Sequence, residues 1–143
     1  MATYQTVTNE DKIDVAPYVA QANETLRAAV LLRDAGLAAD SATRSHQACV
    51  HAERALLATE KRSPQDVRGV HRMTTLHFLQ NGQIPREHLA AVERLAVLRQ
   101  RADDVPQGRV TGEDAIEAAA AAHAFLAAVE TFLCRNGYLE RTS

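Results

Sequence analysis

The sequence predicts an all-α protein, an antiparallel up-and-down bundle of four or five helices. Apolar side chains recur at helical spacing over most of the chain. Glycine, proline and asparagine divide these stretches into segments of helix length with short connections. No stretch shows the alternation of apolar and polar residues that predicts a half-buried strand, so helices packed on helices are the expected architecture.

Length and composition predict one domain of 143 residues. Residues 1–12 are polar and are predicted to form a flexible lead-in, and residues 13–143 a single helical domain. A chain of this length buries roughly 68–70% of its unfolded surface, which suffices for a core. The net charge of −2 gives no general signal for nucleic acid or membrane. Without a signal peptide or membrane span in the sequence, we expect a cytoplasmic protein with two reduced cysteines.

The first two helices are placed by their terminal residues. Helix one is predicted to begin near Asp14 to Pro17, because Asp14 or a neighbour can act as the N-cap and proline fits a first turn, and to end near Gly36. Helix two is predicted over Ala39–Lys61, with Asp40 or Ser41 as its N-cap. Its many alanines predict a central helix with neighbours on two faces.

Three further helices follow. Helix three is predicted over Pro64–Gln80 with Ser63 as its N-cap, and an Asn-Gly pair ends it. Helix four is predicted over Pro85–Asp103. Helix five, over residues 111–135, opens with a Thr-x-x-Asp capping box.

Arg99 does not fit its surroundings in helix four. At about 100° per residue it lies inside the apolar stripe that runs through Val92 and Leu95. A charge in a dry core costs several kcal/mol unless it is paired, and Asp103, one turn later, is the predicted partner. The two residues form either a structural ion pair or the floor of a functional site.

The six histidines predict no metal site. His46 and His51 are five residues apart, about 140° around a helix, and His71 and His77 are six apart, so neither pair can chelate. His46 and Glu53, two turns apart, are interpreted as separate polar groups at a helix–helix seam. The sequence has no phosphate-cradling glycine loop and no nucleophile motif, and we predict no cofactor.

One chemistry agrees with the residues that remain. Metal-independent RNA cleavage requires a histidine as acid or base and a cation that holds the phosphate, for which the arginine fork is suited. Two pairs have suitable spacing, Arg72 with His77 on helix three and Arg44 with His51 on helix two.

Four stretches of the chain carry a family resemblance. They are Ala22–Gly36, a first helix with its glycine; Ser45–Leu57, similar to a Tyr-Tyr-Ala-x-x-His-Ala-x-x-Ala-Leu-Leu pattern; Leu98–Asp104, similar to Leu-Arg-x-x-Ala-Asp-Tyr; and Thr111–Phe125. In this order, and over nearly the whole chain from about Val15 to Tyr138, they resemble the HEPN domain family (higher eukaryotes and prokaryotes nucleotide-binding).

This resemblance implies an up-and-down helical bundle that forms a homodimer. It also implies a minimal nucleotidyltransferase antitoxin as partner, in a toxin–antitoxin or defence system. Many relatives are metal-independent ribonucleases with an Arg-x4–6-His motif near the start of the fourth main helix. Arg99, Asp103 and His51 match the family patterns.

The sequence departs from these patterns at the residues that would carry catalysis. Positions 104–106, where the histidine after Arg99 would stand, contain none. His46 and Gln47 stand at the two tyrosines of the second helix, and Asp104 at the tyrosine of the third stretch. These departures favour binding over cleavage.

Three functional hypotheses follow. The first is a dimer that binds nucleotide or RNA, or a nucleotidyltransferase partner, through helix four. Its predicted binding residues are Arg99, Asp103 and Asp104. The second is an active metal-independent ribonuclease toxin with a non-standard site. Its catalytic candidates are Arg99, His51, Arg72 and His77. The third is a structural adaptor that dimerises through alanine-rich faces.

Overall fold

The computed structural model describes residues 4–6, 14–104 and 109–141, with residues 4–6 and 141 as backbone only. Helices dominate it, and the predicted all-α bundle is confirmed. The helices are α1 (Ala16–Asp34), α2 (Ala38–Ala58), α3 (Val67–Thr74), α4 (Glu87–Asp104) and α5 (Gly112–Arg135). Most of the predicted lead-in and residues 105–108, between the predicted helices four and five, lie outside the described residues.

Two short strands, β1 (Tyr4–Thr6) and β2 (Leu139–Arg141), pair antiparallel. Tyr4 lies opposite Arg141 and Thr6 opposite Leu139. The prediction of an architecture without strands is wrong at these two places. Three residues are too few to display the two-residue alternation by which strands of about four to eight residues are recognised.

Helix α2 is the centre of the bundle and contacts the other four helices. Ala42, Ala48 and Ala52 are buried along it, and such small side chains let neighbouring helices approach closely. Near its end, Leu56 and Leu57 are both fully buried, although they are adjacent in sequence and point in different directions. This arrangement confirms the prediction of a central helix with neighbours on two faces.

The predicted N-cap of α2 is wrong. The helix begins after Leu37, and no side chain makes a capping hydrogen bond there. Asp40 and Ser41 lie inside the first turns instead. The Ser41 hydroxyl is buried and donates to the carbonyl oxygen of Ala29 in α1 at 2.7 Å. Serine therefore ties two helices together at a position where the sequence suggested a helix start.

Left-handed backbone conformations end the first two helices. Gly36, two residues after α1, has φ +82°, which glycine adopts without strain, and the predicted end near this residue is confirmed. Helix α2 ends at Ala58 and not at Lys61, which has φ +57°. A residue in this conformation cannot continue a right-handed helix.

Helix α3 is shorter than predicted at both ends. Asp66, and not Ser63, is its N-cap, with Oδ1 accepting a hydrogen bond from the Gly69 amide at 2.6 Å. From Thr75 to Leu79 the chain forms a π-helical turn, in which the Gln80 amide donates to the Thr75 carbonyl oxygen at 2.8 Å. The periodicity of the sequence does not distinguish this wider turn from an α-helix.

Helix α5 opens with the predicted capping box. The Asp114 amide donates to Thr111 Oγ1 at 3.0 Å, and the Thr111 amide donates to Asp114 Oδ2 at 3.0 Å. By length and composition α5 is also the one described helix that is long and apolar enough to cross a membrane. Its inner face, which includes Phe125 and Val129, lies in the core of the bundle. One such helix does not indicate a membrane protein.

The capping residue of α3 can be tested by substitution. Asp66→Ala is expected to lower the free energy of unfolding by about 1 kcal/mol, because it leaves the Gly69 amide without its acceptor. Ser63→Ala, at the position that the sequence suggested, is the matched control and is expected to change stability by less than about 0.5 kcal/mol. Urea denaturation of both variants measures this, and equal losses would contradict the assignment.

Candidate functional site

Arg99 lies at the edge of the α2–α4 contact and is partly open to solvent. Its side chain is 32% exposed. Nη1 lies 3.3 Å from His46 Nδ1, on α2, and Nε lies 3.8 Å from Asp103 Oδ2. The predicted pair with Asp103 is therefore present, but it is long, and the Asp103 side chain is 60% exposed. The shorter contact of Arg99 is the one with His46, which the sequence did not suggest.

His46 is buried and neutral. Burial, and after it the positive charge of Arg99, lowers the pKa of His46 to about 4. An arginine can only donate hydrogen bonds, so Nδ1 of His46 accepts from Arg99 and Nε2 carries the ring proton. A neutral imidazole thus fixes one end of a guanidinium without neutralising its charge.

A second pair lies two turns further along α2. Glu53 is buried, with its side chain 1% exposed, and its Oε2 lies 3.0 Å from Nδ1 of His71 on α3. Burial raises the pKa of Glu53, and the hydrogen bond to Glu53 raises the pKa of His71. Because both pKa values are raised, the Glu53–His71 pair retains its shared proton to a higher pH. On its other side, His71 Nε2 lies 4.0 Å from Oε1 of Glu93 on α4.

These contacts form one polar seam, which we define by His46, Glu53, His71, Glu93 and Arg99. Seven residues separate His46 from Glu53, or about 10 Å along the helix axis. The charge of His71 acts on the pKa of His46, so the two pairs are electrostatic neighbours. The interpretation of His46 and Glu53 as separate polar groups at a helix–helix seam is confirmed, because each has its own partner on another helix.

The other candidates lie elsewhere. His77 Nδ1 is 3.4 Å from Glu60 Oε1. His51 is half-buried, and burial, followed by the charge of Arg54, lowers its pKa. Arg72 is exposed on α3, and its side chain makes no hydrogen bond or ion pair with the part of the chain that the structure describes.

The Arg–His combinations suggested by the sequence are therefore not assembled within one chain. Arg99 contacts His46 and Asp103, and neither His51 nor His77 is among its partners in the described residues. Asp104 is exposed at the last position of α4. Within residues 14–104 and 109–141, no group of three or more histidine, cysteine, aspartate or glutamate side chains is placed to hold a metal ion.

Sequence reasoning misses three features of the polar seam. The spacing of the histidines tests His71 only as a metal ligand, no pattern indicates the contact between His46 and Arg99, and none singles out Glu93. The partners of His71 and His46 are 18 and 53 residues away along the chain, so no short spacing reveals the contacts. The available signal was the presence of two titratable residues, His46 and Glu53, on the apolar arc of α2.

Comparison with known proteins agrees with this fold. The HEPN domain family model matches residues 16–132. The crystal structure of TT1696 from Thermus thermophilus is similar with a TM-score of 0.72 and 21% identity, over 83% of this chain and 98% of that one. ST0689, an archaeal HEPN homologue, is similar with a TM-score of 0.66 and 21% identity, over 82% of this chain and 95% of that one. No curated protein matches the sequence.

The bundle thus defines a small all-α protein in which the side chain of Arg99, at the polar seam, is partly exposed to solvent. The chain belongs to the HEPN domain family, because the family model covers most of its length. The resemblance in the sequence is therefore confirmed. At 21% identity the two solved structures establish the fold alone.

Acid is expected to weaken the fold through His46. The folded pKa of about 4 lies below the ordinary value of 6.5, so between these values the unfolded chain binds one proton more than the folded chain. The stability that neutral His46 contributes is fully present above pH 6.5 and is lost as the pH falls towards 4, by up to about 3 kcal/mol. Urea denaturation at about pH 7 and about pH 4.5 measures this loss.

His46→Gln is the informative variant, because glutamine retains a carbonyl acceptor for Arg99 and gains no proton. It is expected to lose less stability on acidification than the wild type. His71, with its raised pKa, acts in the opposite direction in both proteins and cancels from the comparison. An unchanged pH dependence in His46→Gln would contradict the assignment.

Proposed function

We propose that this HEPN-domain protein binds RNA or a nucleotide through phosphate contacts made by Arg99. The observation that carries the proposal is the contact between Arg99 and neutral His46. It fixes one donor of the guanidinium, while the other donors lie at a partly open surface with only a long contact to Asp103. Guanidinium groups bind phosphate oxygens through two parallel hydrogen bonds, and a pre-oriented fork loses less entropy on binding.

The carboxylates beside Arg99 have a different role in this proposal. Asp103 orients the Nε side of Arg99, and Asp104 continues the same end of α4. Carboxylates repel phosphate, but they accept hydrogen bonds from ribose hydroxyls. The binding residues are therefore an arginine for the phosphate and two acceptors for the sugar.

The ribonuclease alternative has less support from the described residues. His46, the histidine that contacts Arg99, has its pKa lowered to about 4 by burial and is a weak base at neutral pH. His51 and His77 have other charged neighbours, Arg54 and Glu60. No contact within the described part of the chain favours either of them as an acid or base acting with Arg99.

Arg99→Ala tests the binding proposal. It is expected to weaken binding of a fluorescent single-stranded hexaribonucleotide about 10- to 100-fold, the loss expected for one charged hydrogen bond of about 1.5–3 kcal/mol. Arg101→Ala, two residues away on the same helix, is the matched control and should lower affinity less than about threefold. Fluorescence anisotropy at a fixed salt concentration measures both.

Thermal denaturation of the same variants separates binding from folding. The Arg99–Asp103 pair is long and contributes little to stability, but Arg99→Ala also leaves Nδ1 of the buried His46 without its donor, at a cost of about 1–3 kcal/mol. Arg99→Ala should therefore fold, with a Tm that is lower by several degrees. An Arg99→Ala protein that is less stable but binds the hexaribonucleotide as the wild type does would show that Arg99 is only structural.

The proposal includes a homodimer formed through α5. Its outer face carries an exposed stripe of small and apolar residues at helical spacing. The stripe consists of Ile116, Ala120, His123, Ala124 and Ala127. Ile116, at one end of the stripe, is 57% exposed, and a contiguous exposed apolar patch is typical of an interaction surface. A second copy of the same helix would cover this stripe.

Light scattering after size exclusion tests the dimer. The wild type is expected to have twice the chain mass of 15.6 kDa. Ala124→Glu should shift it to the single-chain mass, because it places a charge in the centre of the stripe. Ala20→Glu, at an exposed position of α1, is the control and should remain dimeric. A wild-type protein of single-chain mass would refute this part of the proposal.

A nucleotidyltransferase antitoxin is the proposed protein partner, in a cytoplasmic toxin–antitoxin or defence system. Membership of the HEPN domain family and the similarity of Leu98–Asp104 to the motif of small prokaryotic members support this part. The identity of the neighbouring gene is the observation that tests it. A purely structural adaptor would have the same α5 interface without the phosphate binding at Arg99.

A further inference from the structure

A second cationic site lies on the other side of His71. The π-helical turn after α3 and the side of α4 border a groove of about 310 Å³. It is lined by His71, Arg72, Thr75, Leu76, Gln80 and Glu93. A groove of this size is at the lower end of the range of small-ligand sites. A π-turn inserted in a helix is frequent at functional sites.

The buried carboxylate of Glu53 fixes the position of the His71 ring. Glu53 Oε2 accepts the Nδ1 hydrogen at 3.0 Å, and the Glu53 side chain is 1% exposed. This contact fixes the plane of the ring and leaves Nε2 as the edge opposite the core. Because Glu53 raises the pKa of His71, Nε2 carries a proton over a wider pH range than in an unpaired histidine. A buried acid thus supplies the groove with a positively charged donor.

The other lining residues add donors. Arg72 is exposed, and its side chain makes no hydrogen bond or ion pair with the described residues. The Thr75 hydroxyl is buried and has no hydrogen-bond partner in the described part of the chain. Gln80 adds an amide. One apolar side chain, Leu76, is 59% exposed beside these polar groups.

We propose that this groove binds a phosphate monoester, with His71 and Arg72 as the groups that hold the anion. The monoester belongs either to a free nucleotide or to the terminal phosphate of an RNA strand. The phosphate accepts hydrogen bonds from the two cationic side chains, His71 and Arg72, on one side. Leu76 provides an apolar surface for the ribose or the base. None of these residues takes part in the Arg99 site, so the two proposals can fail separately.

The carboxylate of Glu93 competes with this anion for Nε2 of His71. Its carboxylate lies 4.0 Å from Nε2 of His71, and its side chain is 59% exposed and unrestrained by other described contacts. A phosphate in the groove takes the position that the Glu93 carboxylate approaches in this structure. Removing the charge of Glu93 should therefore increase affinity, whereas removing the charge of Glu53 should decrease it. These opposite signs distinguish a binding groove from a surface with positive charge alone.

NMR titration of the whole protein tests the proposal, with AMP, inorganic phosphate and adenosine as probes. AMP and phosphate are expected to shift the imidazole signals of His71, and AMP also the methyl signals of Leu76. Adenosine should leave His71 unchanged. A 5′-phosphorylated hexaribonucleotide compared with its unphosphorylated form separates a strand terminus from a free nucleotide. Equal shifts with AMP and adenosine would overturn the proposal.

The pH dependence follows from the groups that face His71. These are Glu53 and His46 from α2 and Glu93 from α4. Glu53 and Glu93 raise the pKa of His71, while His46 is neutral above its own pKa of about 4. AMP binding should therefore tighten as the pH falls from about 8 to about 6.5, because His71 gains its proton. Binding that does not change over this range would contradict a role for protonated His71.

Three variants complete the test. Arg72→Gln, at an exposed position that does not endanger folding, is expected to weaken AMP binding about tenfold. Glu93→Gln is expected to strengthen it severalfold. Arg68→Gln, an exposed arginine of α3 outside the groove, is the matched control and should bind AMP as the wild type does. Unchanged affinity in Arg72→Gln would overturn the proposal. The Arg99→Ala protein should still show the AMP-induced shift of the His71 imidazole signals, even if it no longer binds the hexaribonucleotide.

Discussion

The histidine and the glutamate that α2 buries constrain the rest of the bundle. His46 and Glu53 lie on the core-facing side of the central helix, 6% and 1% exposed. A buried polar group without a partner costs about 1–3 kcal/mol, and a buried charge costs more. Each of them therefore needs a partner from another helix. His71 must come from α3 and Arg99 from α4, so these contacts fix the positions of both helices against α2.

The two pairs meet this demand in different ways. His46 gives up its charge, since burial and Arg99 lower its pKa to about 4, and the positive charge stays on the exposed side of Arg99. Glu53 and His71 keep a proton between them, since burial raises the pKa of the acid and the hydrogen bond raises the pKa of the base. In both cases a buried residue of α2 orients a cationic group that opens to the surface. The seam thereby presents positive groups on a protein whose net charge is −2.

Periodicity predicts the helices well because each buries an apolar face, and the capping box at Thr111 marks a helix start by local chemistry. Where local chemistry offered alternatives, the sequence was less informative. Ser63 and Asp66 both suit an N-cap, and only the fold shows that the Asp66 carboxylate reaches the Gly69 amide. The contact between Arg99 and His46 spans 53 residues, and no local rule predicts it. Arg99 was recognisable as a charge on an apolar face, but its partner depended on how α2 and α4 pack.

The environment of His46 also bears on the proposal that the arginine of α4 serves binding and not cleavage. A general base must hold and release a proton near the working pH, and the pKa of about 4 leaves His46 a weak base there. Raising that pKa would require either hydration of the ring or removal of the positive charge of Arg99. Hydration would open the α2–α4 contact, and removal of Arg99 would eliminate the group that we propose to bind phosphate. Within one chain, therefore, the interaction that orients Arg99 also lowers the basicity of the histidine beside it.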